Sequence, residues 1–203
     1  MSRHDATLDL VQRSTARLLT VRDAGVPDTS PWNDMRGPII VHATGAGKPT
    51  WTQLGSSVHY AYAFSLNDYV NMTFHPNHDI AASTSIFMHA HWMVNGTNVQ
   101  PVKWQFTYLY AKGFGQGAFD VGGGGTVVSI AEAAPGVAWT HMVSEAVASI
   151  GQVDEPDGLF LVNVKRIANG GTDNTDAVFL LEADCHYQLA RWGTVNRSPD
   201  FYA

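Results

Sequence analysis

From Pro38 onward, apolar side chains recur at every second position. In VKWQFTYLY, Val102, Trp104, Phe106, Tyr108 and Tyr110 alternate with Lys103, Gln105 and Thr107. Successive side chains of an extended strand point to opposite faces, so this pattern yields one apolar face only if the segment lies in a sheet; on a helix it would be smeared around the circumference. VHYAYAF repeats the pattern, with Val58, Tyr60, Tyr62 and Phe64 against His59, Ala61 and Ala63. So does YVNMTF, with Val70, Met72 and Phe74 against Asn71 and Thr73. The same reading predicts strands over Thr126–Ile130, Val137–Val143, Leu159–Ile167 and Ala177–Leu189.

Turn signals separate these runs: Asn95-Gly96, Gly122 to Gly125, Asp157-Gly158 and ANGGTDNTD. A parallel sheet needs helical crossovers of about ten residues or more. None is present, and SIAEAAPG (Ser129 to Gly136) has room for one short helical turn at most. The expected fold class is all-β, an antiparallel β-sandwich of jelly-roll-like form. KGFGQGAFDVGGGG (Lys112 to Gly125) lacks the Gly-Lys-Ser/Thr ending of a phosphate-binding loop and precedes no helix, so it reads as a long hairpin connection.

The first 30 residues follow a different rule. Leu8, Val11, Leu18 and Leu19 fall on one side of a helix over Asp5 to Arg22, Thr15 interrupts the stripe, and Gly25, Pro27 and Pro31 stop it. The expected organisation is an N-terminal helical or extended arm over residues 1–30 and a β-sandwich domain over residues 31–203.

With 12 Lys plus Arg against 18 Asp plus Glu, and no cationic run, nucleic acid is not an expected partner. No window has the length and apolarity of a membrane span, and the first residues lack the apolar core of a signal peptide. Cys185 has no cysteine partner within the chain, which suits a reducing cytoplasm. Charged residues make up only 15% of the chain against 45% apolar, a balance that favours a surface covered by other subunits. Copies of the chain itself are therefore expected partners.

On a strand from Ser85 to Val94, Phe87, His89 and His91 share one face, while Ile86, Met88, Ala90, Trp92 and Val94 form a core face. Near the C-terminus, Glu182, Asp184, His186 and Gln188 alternate with Phe179, Leu181, Ala183, Cys185, Tyr187 and Leu189. Two readings follow. Paired imidazoles with a carboxylate suit a late transition metal, with His89 and His91 as ligands and Asp184 or His186 as the third if the two strands are adjacent. Alternatively, the same four residues form a polar cluster tying strands or protomers together. Cupins are similar in placing His-x-His on a jelly-roll strand, but their motif continues with a Glu three to four residues later, where this chain has Trp92, Met93, Val94, Asn95 and Gly96. The expectation is accordingly no metal, no cofactor and no catalytic residue, with His89, His91, Asp184 and His186 as the alternative metal set. Cys185 falls on an apolar face and reads as a buried hydrophobe, and no G-x-S-x-G elbow is present.

Three longer stretches, SPWNDMRGPI, FHPNHDIAASTSIFMHAHW and LFLVNVKRIANGGTDNTDAVFLLEADCHYQLARWGT, together resemble a set of tailed-bacteriophage virion proteins. The matching positions are Trp32, Asn33, Asp34 and Arg36; His78 and Asp79; His89, His91 and Trp92; Arg166; Asp173; and Asp184, His186 and Tyr187, spread over roughly residues 31–195. The pattern has Pro-His-Asp where this chain inserts Asn77 between Pro76 and His78. The resemblance implies a non-enzymatic virion structural protein, assembled in the host bacterial cytoplasm and located in the virion. Its implied role is capsid decoration or cement, docking on the major capsid protein or neighbouring virion proteins, with a trimer as the expected oligomer. The alternatives are a tail, adaptor or fibre component, a metal-dependent jelly-roll enzyme using His89 and His91, and a carbohydrate-binding module on a host-recognition fibre.

Overall fold

A computed structural model describes residues 31–42, 45–146, 152–153, 156–190 and 193–201. The arm expected over residues 1–30 lies outside the described residues. All strands belong to one unit, Trp32–Ala203. They are β1 (Trp32–Arg36), β2 (Thr50–Gln53), β3 (Tyr60–Phe64), β4 (Tyr69–Phe74), β5 (Thr84–Ser85), β6 (Phe87–Val94), β7 (Pro101–Ala111), β8 (Thr126–Ala133), β9 (Met142–Glu145), β10 (Gln152–Val153), β11 (Leu159–Ile167) and β12 (Val178–Gln188). Among the described residues there is no helix, and so none long and apolar enough to cross a membrane.

The first sheet runs β2-β3-β12-β6-β9, with β1 also paired to β12, and the second runs β4-β11-β7-β8. β5 and β10 form a small separate ribbon. Every pairing is antiparallel. Setting aside β1, β2 and the ribbon leaves two four-stranded sheets, β3-β12-β6-β9 and β4-β11-β7-β8. The chain crosses between them at β3 to β4, β4 to β6, β6 to β7, β8 to β9, β9 to β11 and β11 to β12. That is the strand order of a jelly roll, and it confirms the all-β antiparallel sandwich.

The alternation read from the sequence sets the core. Val70, Met72 and Phe74 of β4, Val102, Trp104 and Phe106 of β7, and Phe160, Val162 and Val164 of β11 meet Met88, Ala90, Trp92 and Val94 of β6 between the sheets. Each large side chain buried in this way contributes roughly 1.5–3 kcal/mol relative to exposure. The indole of Trp92 keeps a partner in this apolar layer: its Nε1 donates to Ser144 Oγ at 2.7 Å, and Ser144 donates to Glu132.

Three local expectations are corrected. β8, expected to end at Ile130, continues as strand to Ala133 through the stretch that had room for one helical turn at most. The strand expected over Val137–Val143 begins only at Met142, because Trp139 takes a left-handed φ of 64° and turns the chain. The third concerns β12. Its register against β6 shifts between Leu180 and Glu182, so Leu181 is an extra residue in the ladder. Val178 and Leu180 face the core before the bulge, and Ala183, Cys185 and Tyr187 after it. Phe179 instead lies on the other face in a small cluster with Ala61 and Met93. A one-residue slip flips every side chain of a strand. Without the bulge, the phase of Val178 and Leu180 would carry Glu182, Asp184 and His186 into the core; the bulge places them on the outer face.

β1 has no clear signal in its sequence, WNDMR, where Met35 is the lone buried residue. Its partner makes it a strand: Asp34 lies opposite His186 and Arg36 opposite Asp184.

Candidate functional site

Pairing β1-β12-β6-β9 draws a polar field across the outer face of the first sheet. One lateral row is Arg36, Asp184, His89 and Glu145, each residue the direct partner of the next. Beside it, Asp34 faces His186, and Glu182 faces His91. The four residues singled out in the sequence, His89, His91, Asp184 and His186, are thus brought together. Asp34 was already among the residues carrying the resemblance. Glu145 and His141 were not anticipated, because the alignment of β9 with β6 has no trace in local sequence.

His89 and Asp184 are almost completely buried, at 1% exposure each. His89 Nε2 contacts Asp184 Oδ1, and His91 Nε2 lies 3.5 Å from the same oxygen. The two Nε2 atoms are 3.0 Å apart. On its far side, His91 Nδ1 lies 2.9 Å from His141 Nε2, with the rings stacked at 5.0 Å. Burial lowers the pKa of His91, and the neighbouring His89 and His141 push the same way, against Asp184 and Glu182, which raise it.

His186 belongs to the same field but is otherwise engaged. Its Nε2 lies 3.2 Å from Asp34 Oδ1 and its Nδ1 contacts Glu145 Oε2, so it joins β1 and β9 across the sheet. Its ring packs on that of His89 at 4.1 Å. Arg36 reaches Asp34 at 3.5 Å and Glu182 at 3.6 Å from an exposed position, where such pairs contribute about 1 kcal/mol at most. Cys185, fully buried on the core face, has its thiol pKa pushed well up by burial and then by Asp184.

The other residues that carry the resemblance act as fasteners. Tyr187 Oη accepts from Asn33 Nδ2 and Asn77 Nδ2 and donates to Asp79 Oδ1, each at 2.9 Å. Arg166 donates to the carbonyls of Phe64 and Asn174, both at 2.6 Å, and Asp173 accepts from the backbone of Asn169. His78 lies 2.6 Å from Thr194 Oγ1, and His75 and His78 both face Asp157.

A second feature lies beside β2, the edge strand of the first sheet among the described residues. An open cleft of about 520 Å³ is lined by Val41, His42, Lys48, Pro49, Trp51 and Tyr62, among others. The Trp51 and Tyr62 rings are 4.6 Å apart, and Trp51 is more than half exposed. His42 stacks on Tyr69 at 4.3 Å, and among the described residues neither of its ring nitrogens has a hydrogen-bond partner.

No family model matches the chain, and no curated protein matches it. Among solved structures it is similar to the structure of infectious bursal disease virus Gt strain, at 10% identity and a TM-score of 0.36 over 82% of this chain and 34% of that one. The chain therefore spans about a third of that protein's length. It is also similar to the xylan-binding module CBM15, at 11% identity and a TM-score of 0.32 over 80% of this chain and 94% of that one. A third likeness is to the enzymatically active domain of bacteriophage CBA120 tailspike protein 4, at 12% identity and a TM-score of 0.25 over 77% of this chain and 18% of that one. At these identities and scores, none bears on what this chain binds or does.

Proposed function

We propose that the chain is a non-enzymatic structural component of a tailed-phage virion and that it decorates the capsid, holding neighbouring shell subunits together. The observation that carries this reading is where the resemblance residues sit. Asn33, Asp79 and Tyr187 clamp β1, the loop after β4 and β12. Arg166 clamps β11 to the end of β3 and to the loop before β12, and Asp34 with His186 clamps β1 to β12. A motif set spent on fastening a sandwich fits a protein that must endure in place rather than turn over a substrate. Exposed Trp32, Trp51 and Phe114 offer apolar anchors of the kind that dominate protein contacts. The test compares particles of the parent phage with and without this chain. The expected result is genome release at lower temperature from particles lacking it, restored by adding the purified protein. Equal thermal release from both kinds of particle would refute the role.

The cleft beside β2 favours a second reading, a carbohydrate-binding module on a host-recognition fibre. The exposed Trp51 ring can stack on a sugar face, and the exposed Lys48 lines the same cleft and can bond hydroxyls. Binding of host-surface oligosaccharides that is abolished by Trp51→Ala would support it. Failure of the unmodified protein to bind any such glycan would remove it.

A further inference from the structure

We propose that His89 Nε2, His91 Nε2 and Asp184 Oδ1 form a binding site for one divalent transition-metal ion of the zinc class. The site is independent of the particle role and stands or falls by its own geometry. Around a tetrahedral ion with metal–nitrogen and metal–oxygen distances of about 2.0–2.2 Å, ligand atoms lie roughly 3.3 Å from one another. The two imidazole nitrogens are 3.0 Å apart, and His91 Nε2 is 3.5 Å from Asp184 Oδ1; His89 Nε2 and Asp184 Oδ1 are in direct contact, closer than that spacing, and part by about 1 Å when an ion enters. The three atoms all lie within 4.8 Å of one another.

A hydrogen-bonded cluster leaves part of this group unsatisfied. Asp184 is 1% exposed; its Oδ1 is held by His89 Nε2, but among the described residues its Oδ2 and His89 Nδ1 have no hydrogen-bond partner. A buried carboxylate with an unpartnered oxygen is costly, and a cation beside it lowers that cost. His89 Nε2 and His91 Nε2 face each other at 3.0 Å, a hydrogen bond when one of them carries a proton. If both carry lone pairs they repel, unless an ion lies between them.

The outer contacts fit ligation. A proton on His91 Nδ1, donated to His141 Nε2 at 2.9 Å, fixes the tautomer that presents the Nε2 lone pair to the site. The alternative triad, Asp34, His89 and His186, shares His89, but both nitrogens of His186 already face carboxylates. All three proposed ligands stand on the paired strands β6 and β12, where His89 and Asp184 are direct cross-strand partners. Two imidazoles and one carboxylate suit zinc and its transition-metal neighbours, whereas calcium and magnesium take oxygen ligands. Three protein ligands leave a coordination position open, and His91 is the most exposed of the three, at 21%.

The test uses the full chain stripped with a chelator, then titrated with zinc and with cobalt(II), read by calorimetry and by visible absorption of cobalt. The expected result is one equivalent bound with a Kd below about 1 µM and cobalt bands of a four-coordinate nitrogen and oxygen site. His91→Ala, which opens no core cavity, should weaken binding on the order of 100-fold or more. His141→Ala, acting through His91, should weaken it about 10-fold. His75→Ala, away from the cluster, should leave it unchanged. Far-UV circular dichroism of each variant separates lost ligation from lost fold. Less than about a tenth of an equivalent bound by the unmodified chain, or undiminished binding by folded His91→Ala, would overturn the proposal.

Discussion

Replacing Arg166 with Met should be among the most damaging single changes outside the apolar core. Arg166 is 5% exposed on β11, and its two guanidinium nitrogens donate to the carbonyls of Phe64 and Asn174 at 2.6 Å each. Burial lowers its pKa, and the carboxylates of Asp173 and Asp68 pull it back up, so the charge sits among compensating acids. Hydrogen bonds from a charged donor contribute about 1.5–3 kcal/mol each. Met fills part of the volume and removes the cost of desolvating the guanidinium, which returns some of that sum. The net loss should be about 3 kcal/mol. For a domain of this size that corresponds to a fall in Tm of about 6–12 °C. Thermal unfolding followed by circular dichroism measures it, with a urea titration to show that the m-value is unchanged. Arg166→Lys keeps the charge but has a single nitrogen that cannot span both carbonyls, and should lose about half as much. A shift of less than about 2 °C in Arg166→Met, in a cooperative transition, would refute the idea that this residue fastens β11 to β3 and to the loop before β12.

Tyr187→Phe should lower stability by about 1–2 kcal/mol in the same assay, because Asn33 and Asn77 can turn to water once the phenol oxygen is gone. Burial first, and Asp79 with it, raises the Tyr187 pKa above the ordinary 10.0, while Asn77 and Asn33 oppose the shift. Stability linked to that shift is complete below about pH 10 and lost as pH climbs through the folded-state value, so alkaline unfolding should be shallower in Tyr187→Phe. Gly37→Ala would set a Cβ 2.2 Å from the Thr73 carbonyl oxygen, forcing that segment off β4 at a cost of about 1–3 kcal/mol in denaturant melts. Cys185 should resist thiol reagents in the folded protein and react at once in urea, since it is fully buried.

Much of the sandwich was legible because period two survives in a linear reading. β4 and β11 match their expected bounds, Tyr69–Phe74 and Leu159–Ile167, residue for residue. Where the physics is not periodic, the sequence was silent. The bulge at Leu181 shifts phase inside an unbroken apolar run, so Phe179 was assigned to the wrong face. β1 and β2 exist through their partners rather than through their own composition. The cluster was half visible: His89 and His91 declare a shared face, and Asp184 and His186 another. That these faces coincide, and that β9 adds Glu145 while the segment before it adds His141, follows from a register no local pattern encodes.

Counting this chain in purified particles by quantitative mass spectrometry, relative to the major capsid protein, tests the proposed role most directly. Shell decoration predicts on the order of hundreds of copies per particle, in a fixed ratio set by the symmetry of the shell. About a dozen copies or fewer would place the chain at a tail or vertex instead, and its absence from washed particles would contradict a virion role altogether.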